Sequence, residues 1–244
     1  MVSLPRLLRC LGLLAAMLLV AVNASAQTKI ELLADNLNAW KGKHGDWQEI
    51  GGVELDAKNP RRFHAKPGKG VWYNGPKGRT ANLYTKQKFA DLELHLEFNI
   101  PKGSNSGIKF HGHYEIQIDD SFGRKNVSGE HCGGIYPRAA VIKGRYTHLD
   151  KGIPPRLNAC NAPGTWQTLD VTFLAPRFDV KGKKIANAKI VKATLNGKVI
   201  HENQELLTPT GDRWKNAEMR EGSLMLQADH GPIAVRHFWV RAHK

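Results

Sequence analysis

"LELHLEFNIPKGSNSGIKFHGHYEIQIDD", residues 92–120, decides the fold class. In its first part Leu92, Leu94, Leu96 and Phe98 alternate with Glu93, His95, Glu97 and Asn99. A period of two with one apolar face is the signature of a half-buried strand. The turn-forming run around Pro101 and Gly103 interrupts the pattern, which then resumes. Ile108 and Phe110 alternate with Lys109 and His111, and Tyr114, Ile116 and Ile118 alternate with Glu115, Gln117 and Asp119.

The same periodicity recurs outward, over residues 165–175, 187–203, 222–229 and 233–242. Asn196-Gly197 splits the second of these, and that dipeptide between alternating segments is a strong hairpin signal. Only residues 34–40 suggest a short helix. Many short strands joined by Gly, Asn and Pro turns predict a single-domain, all-β antiparallel sandwich.

Residues 1–26 stand apart. Arg6 and Arg9 precede an apolar run from Leu11 to Val22, and Ala24-Ser25-Ala26 supplies small residues for cleavage. That is the pattern of a secretory signal peptide, which leaves residues 27–244 as the working domain, periplasmic or secreted. The apolar run is short for a bilayer span, so no membrane insertion is expected after cleavage.

The chain has 36 basic and 22 acidic residues, a formal net charge of +14. Its lysines are dispersed singly, and the densest cluster, "KGKK" at 181–184, sits in a Gly-containing turn. With no nucleic-acid motif present, this charge reads as solubility or attraction to anionic surfaces, and nucleic acid is excluded as a partner. Cys132 and Cys160 remain after cleavage, and in an oxidising compartment they are expected to form one disulfide.

The polar faces of the three central strands carry Glu97, Lys109, His111, Glu115, Gln117 and Asp119. Same-face residues along a strand lie about 7 Å apart, so a sugar ring can touch several together. If the strands are neighbours, acids, a cation and an imidazole converge on one groove. A plain solvated face is the alternative.

Several ordered motifs resemble the 3-keto-disaccharide hydrolase family. They are "FADLELHLEF…GSNSGIKFHGHYEIQIDDSFG", "CGGIYPRAA", "APGTWQTLDVTFLAPRFD", "ATLNGKVIHEN" and "LMLQADHGPIAVRHFWVR". The resemblance spans roughly residues 30 to 242 and implies a concanavalin A-like lectin/glucanase jelly roll. Three departures accompany it: Lys109-Phe110-His111 stands where the family shows an Arg, Ala228 is added between Gln227 and Asp229, and residues 137–160 form a longer connection.

The resemblance also implies a chemistry. A ketone at C3 of a sugar acidifies the C2 proton; a base removes it, the glycosidic oxygen leaves from C1, and water adds back. Such a route needs a base, an acid and a positive group beside the enolate oxygen. Glu115, Asp119, Glu97 and His230 are the candidate catalytic residues. Lys109, His111, Gln117, Asn105, Tyr136 and Gln227 are the candidate substrate-binding residues. His113, His131 and His230 leave room for a divalent metal ion, although no pair with strand geometry fixes one.

Two other functions compete. Retaining glucanases of this fold carry Glu-x-Asp-x-x-Glu on one strand, whereas this chain has Gln117 in the centre. A non-catalytic sugar-binding module would use Trp72, Tyr73, Tyr84, Trp166, Trp214 or Trp239 for stacking.

Overall fold

Alternation sorts the side chains into two facing sheets. The computed structural model describes residues 28–243; the signal peptide read over residues 1–26 lies outside them. The larger sheet runs, in spatial order, Lys198–Leu206, Ala188–Leu195, Gln167–Leu174, Leu92–Asn99, Ala234–Ala242, Phe63–Tyr73 and Gln48–Leu55, all antiparallel. Ile30–Glu31 pairs with Ala234–Ala242 as well. The smaller sheet runs Leu83–Tyr84, Met225–Leu226, Asn105–Phe110 and Tyr114–Asp119. Two short hairpins, Ala139–Ile142 with Arg145–His148 and Arg177–Phe178 with Lys184–Ala186, stand outside both sheets.

The core lies between the sheets. Leu92, Leu94, Leu96 and Phe98 fill it from the larger sheet, and Ile108, Phe110, Tyr114, Ile116 and Ile118 from the smaller. Phe110 and Phe173 stack across the gap at 4.7 Å between ring centroids. Burying each such Leu, Ile or Phe contributes about 1.5–3 kcal/mol. The antiparallel sandwich expected from the alternation is the fold found.

Asn196 and Gly197 form the expected hairpin turn with φ of 53° and 76°. Both central residues then lie in the left-handed region, which Asn and Gly tolerate best. Residues 34–40 hold only a three-residue 3-10 turn, Asp35–Leu37. The stretch 222–229 is a strand only at Met225–Leu226, because Gln227 onward turns to form the rim of a cavity. Among the described residues no helix is long and apolar enough to cross a membrane.

Candidate active site

The register of the smaller sheet sets the site. Tyr84 pairs with Met225, Met225 with Lys109, and Lys109 with Glu115. The next segment adds a further step, since the Tyr136 N–H donates to the Glu115 carbonyl at 3.1 Å. One row across the sheet therefore reads Tyr84, Met225, Lys109, Glu115, Tyr136. In the neighbouring row Gly107 pairs with Gln117, and the Gln227 N–H donates to the Gly107 carbonyl. These rows floor a cavity of about 500 Å³, walled by Asn82, Asn105, Tyr146, Asp212, Arg213, Asp229 and His230. That volume suits a small ligand such as a sugar unit.

Glu115 is the buried charge of the floor, with only 3% of its side chain exposed. Its carboxylate meets the Lys109 ammonium at 2.9 Å. Burial pushes the Glu115 carboxyl above its ordinary range, and the Lys109 charge and hydrogen bond pull it back. The carboxylate lies over Gly107, where an added Cβ would come within 2.4 Å of Oε1. The absence of a side chain at 107 is what makes room for it.

A second titrating group stands on the rim. His230 Nδ1 is 2.6 Å from Asp229 Oδ1, and the Asn82 amide donates to Asp229 Oδ2 at 3.3 Å. A carboxylate on Nδ1 selects the tautomer with the proton there and leaves Nε2 as the free lone pair.

The third is Tyr136, whose hydroxyl lies 2.9 Å from His148 Nε2. Burial, followed by the charge on the neighbouring Tyr146, keeps the Tyr136 phenol protonated well above the ordinary range.

Of the residues expected from the sequence, Glu115, His230, Lys109, Gln117, Asn105, Tyr136 and Gln227 meet in this cavity. Glu97 does not. Its strand, Leu92–Asn99, belongs to the other sheet, and it pairs with Arg236 at 2.7 Å on that sheet's outer face. In a sandwich the polar faces of the two sheets point in opposite directions, so consecutive strands need not share a groove. His111 is displaced as well. The strand ends at Phe110, and His111 takes φ of 56° in the hairpin turn, packing on Phe173 and Tyr114.

Asp119 shares the strand face of Glu115 and Gln117 but lies beyond the cavity lining. Burial raises its carboxyl to about 6, against the opposing pull of Arg124. Cys132 and Cys160 are both free and buried. Their side chains hydrogen-bond to each other, which raises the Cys132 thiol and lowers that of Cys160. Among the described residues no three His, Cys, Asp or Glu side chains cluster to hold a metal. A divalent ion here would have to draw further donors from sugar hydroxyls or water.

Of the aromatic residues considered for stacking, only Tyr84 lines the cavity. Trp72 and Tyr73 are buried, and Trp166 and Trp239 lie beneath Arg236 and Lys29 at 4.2 and 4.0 Å. Trp166 and Trp239 are half-buried; for Trp239 the bulge between Arg236 and Trp239 puts Phe238 inward in its place.

Tyr146, Asp212, Arg213, Asp229 and Asn82 were not expected. Asp229 had a signal, an acid directly before His230. The others sit in loops or in the hairpin of the long connection, where no periodicity marks a face.

Residues 29–241 match the family described as the 3-keto-alpha-glucoside-1,2-lyase-like domain. The chain is similar in structure to a candidate glycosyl hydrolase of Parabacteroides distasonis ATCC 8503, with 24% identity, a TM-score of 0.60, and 88% of this chain and 84% of that one covered. A second candidate glycosyl hydrolase of the same organism is 18% identical with a TM-score of 0.57, over 88% of this chain and all of that one. A third gives 13% and 0.50, over 82% and 89%. These likenesses establish the fold. No curated protein sequence matches the chain significantly.

Proposed function

This chain belongs to the 3-keto-alpha-glucoside-1,2-lyase-like domain family, and from that premise we propose that it cleaves 3-keto-glycosides by elimination. The observation that carries this reading is the Lys109–Glu115 pair on the cavity floor. It sets a buried carboxylate of raised proton affinity 2.9 Å from a fixed ammonium.

Glu115 takes the C2 proton. The electrons of the broken C–H bond become the C2=C3 bond of an enediolate, whose oxygen lies beside the Lys109 ammonium. Placing a cation where negative charge develops lowers the barrier without reorganisation. The C1–O bond then breaks, the C3 ketone re-forms, and a C1=C2 double bond remains. In hydration His230, held by Asp229, takes a proton from water as the oxygen adds to C1, and Glu115 returns its proton to C2. Asn105, Gln117 and Gln227 supply amide groups for the sugar hydroxyls. Residues 1–26 support action outside the cytoplasm, in the periplasm or the medium.

A direct glycosidase is the competing reading, and it needs a pair of carboxylates flanking the glycosidic bond. Gln117 replaces the central carboxylate of the strand motif such enzymes carry. The test is incubation of the protein in D2O with 3-keto-glycosides and their unoxidised parents, with and without a chelator. Consumption of only the keto compounds, with deuterium entering at C2, is expected. Cleavage of the unoxidised parents at the same rate would sink the elimination route.

A further inference from the structure

We propose that Tyr136 is the acid that protonates the departing glycosidic oxygen, and that His148 and Glu130 resupply its proton from solvent. This assignment rests on the elimination reading above. Its observation is a chain of hydrogen bonds leading out of the cavity. The Tyr136 hydroxyl is 2.9 Å from His148 Nε2, and His148 Nδ1 is 3.2 Å from Glu130 Oε1. Tyr136 lines the cavity, His148 is 27% exposed and Glu130 is 47% exposed. Glu130 is therefore more open to water than His148.

In the neutral imidazole Nε2 accepts the Tyr136 O–H, and protonation of His148 reverses that bond. Glu130 accepts from Nδ1, so Nε2 faces the phenol. In the imidazolium, Nε2 donates to the Tyr136 oxygen, and the phenol O–H is released to the substrate. As the C1–O bond breaks, its electron pair takes the Tyr136 proton. The phenolate takes the Nε2 proton, and the neutral imidazole, its Nδ1 proton held by Glu130, regains one at Nε2 from water. No other reactant is needed.

The chain is held rigidly. The Tyr136 N–H is bonded to Glu115, and Ile135 pairs with Ile153 at 2.9 Å in both directions. Arg138 and Asp150 close the base of the hairpin that carries His148, at 2.7 Å. The groups facing Tyr136 are Glu115, Tyr146, His148 and Glu130, and Tyr146 in turn faces Asp212. The rings of Tyr136 and Tyr146 both stand edge-on to His148. Tyr146 and His148 both lie in the long connection, so this stretch supplies catalytic and positioning groups.

The experiment compares two 3-keto-glycosides that differ only in leaving group, an alkyl and a nitrophenyl glycoside, in wild type, Tyr136→Phe and His148→Gln. An alkoxide must be protonated to leave, whereas a nitrophenolate need not be. Tyr136→Phe is expected to lose roughly a hundredfold or more on the alkyl compound, the range for a lost general acid, and only a few-fold on the nitrophenyl compound. Exchange of the C2 hydrogen in D2O should persist in Tyr136→Phe. In His148→Gln the alkaline limb of the alkyl rate should move to higher pH, because the phenol alone then carries the proton.

Equal losses on both compounds, or no loss, would overturn the assignment of Tyr136. An unmoved alkaline limb in His148→Gln would overturn the relay. Wild-type protein that neither exchanges C2 hydrogen nor cleaves either compound would instead refute the elimination reading, and this assignment would fall with it.

Discussion

Lys109 and Glu115 face each other across two antiparallel strands, 2.9 Å apart, as the innermost pair of the cavity. Lys109 is 18% exposed and Glu115 3%, so water screens the pair poorly. Removing one partner of such a pair leaves a buried charge uncompensated.

Lys109→Met is therefore expected to cost about 3–5 kcal/mol of stability. The double variant Lys109→Met with Glu115→Gln should recover most of that loss, since no charge then remains buried. Denaturant unfolding of the variants measures it; a double variant as unstable as Lys109→Met would show that packing, and not charge, decides the matter.

Glu115→Gln keeps the shape of the floor while removing the base. Turnover of a 3-keto-glycoside should fall at least about a hundredfold, with a smaller loss of stability than Lys109→Met shows. The loss is smaller because the Lys109 ammonium left unpaired is 18% exposed, against 3% for the carboxylate left by Lys109→Met. Wild-type turnover in this variant would show that the carboxylate is not the base.

Gly107→Ala tests the room made for Glu115. A Cβ there would lie 2.4 Å from Glu115 Oε1, so the carboxylate must move. Displacing a reacting group by about 1 Å costs on the order of a hundredfold in rate. Unfolding should shift little, and kcat assays against thermal melts separate the two effects.

Asp119 gives a pH dependence of stability. Its carboxyl is raised from 3.8 to about 6 in the fold, chiefly by burial. The folded state then holds the proton more tightly than the unfolded chain, so this contribution is full below pH 3.8 and lost as pH rises through about 6. Asp119→Asn should stabilise the protein at pH 8 by about 1 kcal/mol, allowing for partial exposure, and do little at pH 3. Equal effects at both values would place its influence elsewhere.

Cys132 and Cys160 touch as free thiols. Mild oxidant should join them without rearrangement, abolishing thiol labelling of the unfolded chain and adding roughly 3 kcal/mol of stability. Two labelled thiols after oxidation would count against the pairing.

Much of this was legible in the chain. Leu92, Leu94, Leu96 and Phe98 announce a strand with one inward face, because side chains alternate across any extended backbone. The same rule put Glu115 and Gln117 on one face and Ile116 and Ile118 on the other. Asn196-Gly197 announced its own turn.

Which strands lie side by side was not legible. Glu97 and Glu115 carry the same local pattern, yet one pairs with Arg236 outside the larger sheet and the other floors the cavity. His111 continues the alternation of Lys109 in sequence, but the turn after Phe110 swings it against Phe173. Tyr146, Asp212 and Arg213 come from loops and a hairpin whose position depends on contacts distant in the chain. The sequence by itself determined the strands, their inward faces and the local run of Glu115 and Gln117, because these follow from backbone geometry over a few residues. Tertiary structure alone decided which polar faces meet, because strand order and loop placement are settled by burying the two apolar faces against each other.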